Sequence, residues 1–336
     1  MKLVDNLKNW KHDIVKYTKY YLLVPTAIIL FALIMLIAQG ANIGIDFTGG
    51  TAVSVKFGNE LMQESDYNTR VTEIKEVMSE YGLTMATNQR IGENDNAKLQ
   101  VRYQNISGKS DEEMQEISTQ FANALQEKYT GYEVENATTI SASASASLLL
   151  NALLAICIAV VLIVIYLAIR FKQWTFGLCS IISMVHDVLI MVSFMLIFHL
   201  EISSTFVAAL ITIIGYSINN NVVIFDRMRE NLKLMDKESY ASVANASIKQ
   251  TLTRTIVTTL TTFIVIFCLL FVGIAGITNF VLPITIGLIA SFYSSVFIAS
   301  PLWAIFSKKK DKYKDKPTIT TNSYQINDKE VIVSEN

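Results

Sequence analysis

The sequence predicts an α-helical integral membrane protein with six transmembrane helices and a small ferredoxin-like α+β domain between the first and second. Three observations carry this. Hydrophobic residues make up 51% of the 336 and charged residues only 17%, where a soluble domain carries about a quarter; mean hydropathy is +0.38. Six apolar runs reach or approach the length of about 20 residues that crosses a bilayer. The polar stretch between the first two runs switches between strand and helix periodicity. The net charge of −1 says little, because charge is strongly segregated along the chain. Cys157, Cys179 and Cys268 all sit in apolar segments, so no disulfide framework or zinc site is indicated, and no cofactor is expected.

The chain divides into an N-terminal segment (1–19), a first transmembrane helix (20–40), the ferredoxin-like domain (41–147), a five-helix membrane region (148–306) and a basic tail (307–336). Lys2, Lys8, Lys11, Lys16 and Lys19 precede the first span, Tyr20 to Ala38, with Trp10, Tyr17, Tyr20 and Tyr21 suited to the interfacial belt. Ala38-Gln39-Gly40 resembles a signal-cleavage tripeptide, but the apolar run is longer than a typical signal-peptide core. Gly44-Ile45-Asp46-Phe47-Thr48-Gly49-Gly50-Thr51 follows, with glycines that permit a tight turn. Ala52–Phe57 alternates as a strand, and residues 64–81 read as an amphipathic helix. Strands are expected at Thr84–Ile91 and Lys98–Tyr103, joined by a turn at Gly92–Asn96. Ser110 reads as an N-cap ahead of Asp111, Glu112 and Glu113, opening a helix to Tyr129, with a last strand at Tyr132–Val134. That β-α-β-β-α-β order is ferredoxin-like. Ile140–Ser147 is a low-complexity Ser/Ala run, either a linker or an extension of the next helix. Later spans are expected at Leu148–Ile169, Phe176–Phe198, Thr205–Phe225, Thr251–Val272 and Phe280–Phe306, then a lysine cluster and a polar, disordered end.

The N-terminus, the links after the second and fourth spans, and the C-terminus carry Lys or Arg, whereas the links around Glu201 and Asn279 carry none. Short basic loops mark the cytoplasmic side, so both termini are expected inside and the ferredoxin-like domain outside.

The intramembrane polar residues are the candidate functional groups. The fourth span carries Asn219, Asn220 and Asn221. Amides in hydrocarbon need partners, either as glue between helices or along a path for an ion or proton. Asn220 lies about 9 Å above Asp226 along the helix. In the fifth span Arg254, Thr258, Thr261 and Thr262 share a face, and an antiparallel neighbour could bring Arg254 to the depth of Asn220, making a polar seam. Arg254 could instead snorkel to the surface. In the third span, His186-Asp187 lies about 20 Å from Trp174; a carboxylate there needs a partner or a proton. No HExxH, GxSxG or Walker pattern occurs, and His12, His186 and His199 are scattered, so an enzyme is not expected.

At these residues the chain resembles the SecF family, the accessory membrane subunits of the bacterial Sec protein-export system, within the SecD/SecF group. The pieces are Gly44–Gly50, His186-Asp187, Gly215-Tyr216-Ser217-Ile218-Asn219, Phe225–Asn231, Arg254-Thr255 with Thr258, Thr261 and Thr262, Tyr293-Ser294-Ser295 and Ala299-Ser300-Pro301. They run in order over nearly the whole chain.

The resemblance implies that the six spans form half of a transporter of the RND superfamily, completed by a six-span SecD-like subunit as a heterodimer in the bacterial cytoplasmic membrane. It implies work beside the Sec translocon channel on exported polypeptides, aiding translocation or release at the outer face, driven by a proton or sodium motive force. No nucleic acid is expected as a partner. The resemblance assigns an ion relay to position 220 and Arg254, with Asp187 and His186 as further candidates. It also assigns Asp46, Gly49 and Gly50 to an extracytoplasmic turn motif. Where the family pattern has an aspartate, this chain has Asn220, which can hydrogen-bond but cannot carry a proton by titration. That departure puts ion coupling through this position in question. It leaves an engineered mimic of the protonated acid, a shift of coupling to Asp187 or the SecD carboxylates, or export without ion coupling. The other functional class is half of an RND-type efflux transporter for small molecules or lipids, which predicts a larger external domain than residues 41–147 provide.

Overall fold

The computed structural model describes residues 13–91, 95, 97–106, 108–135, 137–171, 173–235, 238–271, 275–308, 324–326 and 331–333. Most of the expected 92–96 turn and the lysines at 2, 8, 11, 309, 310, 312, 314 and 316 lie outside those residues.

Six described helical stretches are long and apolar enough to cross a membrane. The first span is α1 (Thr18–Gln39). A single-turn helix, α2 (Ile45–Thr48), then leads into the small domain. There β1 (Gly50–Lys56), α3 (Glu64–Glu80), β2 (Met85–Ile91), β3 (Lys98–Tyr103), α4 (Asp111–Lys128) and β4 (Glu133–Val134) follow in order. The sheet order β2-β3-β1-β4, with antiparallel neighbours, is the ferredoxin-like arrangement. An unforeseen strand, β5 (Thr138–Ile140), pairs with the start of β1, Gly50 opposite Ile140, so the domain's entry and exit are tied together.

Strand alternation gives the sheet two unlike faces. Val53, Val55, Leu99, Val101 and Tyr103 join Ile74, Met78, Met114, Phe121 and Leu125 in a core under α3 and α4. The other face carries Ser54, Lys98, Gln100 and Arg102. Ser110 caps α4 through a reciprocal capping box with Glu113.

The second span, α5 (Ala142–Arg170), begins in the Ser/Ala run, with the Ser141 hydroxyl accepting from the Ala144 amide. The run therefore extends the helix. The third and fourth spans are α6 (Trp174–Ile197) and α7 (Ser204–Leu234), and the fifth is α8 (Tyr240–Phe271). The sixth is α9 (Ala275–Ser294), continued through a π turn at Ser295–Ala299 into α10 (Ser300–Lys308). Pro301 has no N–H to give back to the preceding turn, which favours the wider π geometry there. Tyr324–Ile326 pairs with Val331–Val333 as β6 and β7. At these six residues the expected disorder gives way to a strand pair, for which the β-branched Val331-Ile332-Val333 run is the signal; the rest of the end lies outside the described residues.

Burial separates the spans into two sets. The most apolar windows of the sixth, fourth and third spans are 61%, 50% and 44% buried, against 11%, 6% and 11% for the first, second and fifth. Spans three, four and six form the centre. Gly287 lets α9 sit against α6 and α7: a Cβ there would lie 2.5 Å from Ile213 Cγ1 and 2.8 Å from Met191 Sδ. Small residues serve this purpose at helix contacts in membranes. At one end of the bundle Phe171, Phe176, Phe225 and Trp303 pack together, with Phe176 and Trp303 stacked 4.9 Å apart.

Gly287→Val should separate the three central helices and lower stability by about 1–3 kcal/mol, the usual cost of overpacking, read as earlier unfolding in detergent. A melting curve like that of the unmodified protein would show that the contact is not tight.

Candidate functional site

Polar side chains collect where spans three, four and six meet. Asp187 on α6 is 1% exposed. The Ser217 hydroxyl on α7 donates to its Oδ2 at 2.5 Å. His186 Nδ1 lies 2.9 Å from Oδ1. The His186 ring stacks on Tyr293 of α9, whose hydroxyl donates to the Tyr21 carbonyl on α1 at 2.7 Å. One carboxylate thus connects the third and fourth spans and, through histidine and tyrosine, the sixth and first.

The amides form the second part. Asn220 is 2% exposed, and its Nδ2 donates to the Ser291 hydroxyl on α9 at 3.0 Å. Asn221 is fully buried on the neighbouring face; its Oδ1 is 3.5 Å from the Ser183 hydroxyl, which is 2.8 Å from Ser294 Oγ. Asn221 Nδ2 and His186 Nε2 have no hydrogen-bond partner among the described residues. Buried polar groups without partners are costly, so they often mark sites that exchange partners in use. The network therefore combines a titratable pair, several hydroxyls that can donate or accept, and two amides.

The seam expected between spans four and five is not what the structure builds. Asn220 turns to the sixth span. Arg254, Thr258 and Thr261 are exposed on the outer face of α8, and Thr262 is half-buried. The three threonines donate to carbonyls of their own helix. In this region the Tyr216 hydroxyl of span four donates to Thr259 Oγ1 of span five, at 3.4 Å. Asn219 is also exposed, since three consecutive helical residues fan over about 200° and cannot all face inward. Ser183, Ser217 and Ser291 carry the network, and Ser183 and Ser291 were not singled out from the sequence. Their signal was present as serine pairs three apart, Ser180/Ser183 and Ser291/Ser294, each on one helix face.

Two polar clusters lie outside this centre. Beyond the Asn220 end of α7, Arg170 and Arg229 flank Asp226, and Asn231 Nδ2 donates to Ser247 Oγ (2.8 Å) and Gln250 Oε1 (2.9 Å). At the opposite end, Asp46 of the Gly44–Gly50 motif accepts from the Ser204 amide, 2.8 Å away, at the start of α7. Gly49 and Gly50 have φ of 71° and 133°, and a Cβ on Gly50 would lie 2.6 Å from the Tyr103 carbonyl oxygen, so glycine is required at the turn. Beside them Arg102 pairs with Glu201. Burial pushes the Glu201 carboxyl above the usual carboxylate range, while the Arg102 guanidinium pulls it back and Asp46 adds to the rise.

Ser291→Ala should leave the buried Asn220 N–H without an acceptor and cost about 1–3 kcal/mol in a detergent unfolding assay. Ser295→Ala, which removes only a bond to its own helix, should cost less. Equal effects would argue that the Asn220–Ser291 bond carries no special weight.

The family described as protein export membrane protein SecD/SecF, C-terminal, matches residues 120–309, more than half of the chain. The protein translocase subunit SecF of Sebaldella termitidis is 32% identical over 304 residues, covering 90% of this chain and 94% of that one. The SecDF subunit of Bacillus subtilis is 33% identical over 305 residues, 90% of this chain but 39% of its own length. The crystal structure of SecDF, a translocon-associated membrane protein from Thermus thermophilus, matches with a TM-score of 0.76 at 31% identity, over 90% of this chain and 39% of that one. With this match over its length and its six-span fold, the chain belongs to the SecD/SecF family of protein-export membrane proteins, as a SecF-type subunit.

Proposed function

We propose that this subunit lies in the bacterial cytoplasmic membrane with both termini inside and the ferredoxin-like domain outside. There it pairs with a SecD-like six-span subunit beside the translocon channel and assists movement or release of exported polypeptides. The relatives in which SecD and SecF are named as one chain support the pairing. So does the uncovered row of Arg254, Thr258 and Thr261 on α8, together with Asn219 on α7. An arginine and an amide facing hydrocarbon are costly, and a companion helix with polar groups would satisfy them.

Within this subunit, the ion-linked step runs through Asp187 rather than position 220. The observation that carries this is Asp187 itself: a carboxylate 1% exposed, held by Ser217 and His186 at the meeting point of three spans. Asn220 cannot titrate, but it fixes the register of α7 on α9 through Ser291. Gaining or losing a proton at Asp187 changes whether it accepts from or donates to Ser217 and His186. That alters how α6 sits on α7, and the change is available to drive the external domain. His186 offers the proton a second ring nitrogen to leave or enter by.

Asp187→Asn should remove the gradient-stimulated part of export into membrane vesicles and leave gradient-independent export in place. Asn220→Asp, by adding a second carboxylate beside Ser291, should change the pH at which the gradient acts. A full gradient response in Asp187→Asn would reject this route.

A further inference from the structure

We propose that Arg102, Glu201 and Asp46 are positioning residues of a clamp that joins the ferredoxin-like domain to the third and fourth spans. Through it, a shift of α6 against α7 reaches the external domain.

The clamp is built on the short loop between Ile197 and Ser204. One side is a backbone strip. Gln39 Nε2 donates to the Leu196 carbonyl and Asn42 Nδ2 to that of His199. The Ile202 amide donates to the Asn42 carbonyl at 2.8 Å and the Gly44 amide to that of Ile202 at 2.9 Å. A Cβ on Gly44 would lie 2.6 Å from Glu201 Oε1, so the glycine allows this approach. The loop is thereby stitched to the segment that leads from α1 into the domain.

The other side is ionic. Ser203, the residue before α7, makes no capping bond with its side chain. Asp46, 158 positions upstream of Ser204, takes that role and accepts from both the amide and the hydroxyl of Ser204. A carboxylate there also meets the positive end of the helix dipole. From the sheet, Arg102 is braced by Gln100 Oε1 at 2.7 Å and reaches Glu201; the two side chains are 7% and 9% exposed.

This joint differs from ordinary packing in its chemistry. The hydrophobic core of the domain and that of the membrane bundle are separate clusters. Between them lies a cavity of about 400 Å³ with Asp46, Lys98, Arg102, Glu135 and Glu201 among its lining residues. A polar joint beside open space can part and close without exposing apolar surface, as contacts between moving domains do. The helices that leave the clamped loop are also the two that carry Asp187 and Ser217. Each is a rigid rod, so a rearrangement at that pair, about 15–20 Å along the helices, displaces the loop. The coupling half of this inference rests on the function proposed above; the clamp itself does not.

The test uses the full chain assembled with its six-span partner in vesicles. Cys157, Cys179 and Cys268 are replaced by alanine, and spin labels are placed at positions 112 on α4 and 198 in the loop. Arg102→Glu and Glu201→Arg singly should lengthen and broaden the distance between labels and lower gradient-driven export about fivefold or more, the scale of a typical coupling between sites. The double exchange should restore both. Unchanged distances in the single variants would overturn the clamp. Altered distances with undiminished gradient-driven export would overturn the coupling. If the unmodified chain shows no gradient response, the Asp187 reading fails and the coupling with it, while the distances still decide the clamp.

Discussion

A carboxylate enclosed by transmembrane helices cannot be left without hydrogen bonds, and much of this structure follows from supplying them to Asp187. Ser217 comes from the next span and His186 from the adjacent position on its own. The histidine in turn meets Tyr293 on the sixth span. Hydroxyls suit this setting because each can donate to an ionised acid or accept from a neutral one without moving far. The close approach of the helices at Gly287 brings α9 against α6 and α7, where its Ser291 and Ser294 meet Asn220 and Ser183. A network that is fully satisfied fixes a packing arrangement; the unpartnered groups on Asn221 and His186 leave this one room for a second.

The bundle is polar at its centre and also on one outer face. The first, second and fifth spans surround the central three with mostly exposed side chains. On the fifth, Arg254, Thr258 and Thr261 are exposed, the threonine hydroxyls bonded to carbonyls of their own helix. Half of a two-subunit membrane assembly should look this way: one polar network closed within the subunit, and another open at the surface. The ferredoxin-like domain is connected to the buried network through the loop between spans three and four, which is bonded from both sides.

Some of this was legible in the sequence and some was not, for identifiable reasons. Hydrophobic length located the six spans, and the β-α-β-β-α-β order with Ser110 as a cap gave the small domain. The fourth and fifth helices run well beyond their apolar stretches, α7 to Leu234 and α8 back to Tyr240. There Met228, Met235, Val243 and Ile248 bury one face while charges cover the other, and a hydropathy reading stops at the first charge. At the site, residue chemistry identified Asp187 and Asn220 as groups needing partners, but it could not say which helix supplies them. Pairing Asn220 with Arg254 assumed that consecutive spans share their polar faces. Asn220 instead faces the sixth span, which Gly287 lets approach the fourth closely. Helix geometry alone could have separated Asn219 from Asn221.

The central claim is that Asp187 gains and loses a proton within the bundle. Infrared difference spectroscopy on the assembled complex, with pH stepped across the working range, tests it most directly. The account predicts a carboxyl C=O band that changes with pH and is absent in Asp187→Asn. A spectrum with no pH-dependent band lost in that variant would contradict it.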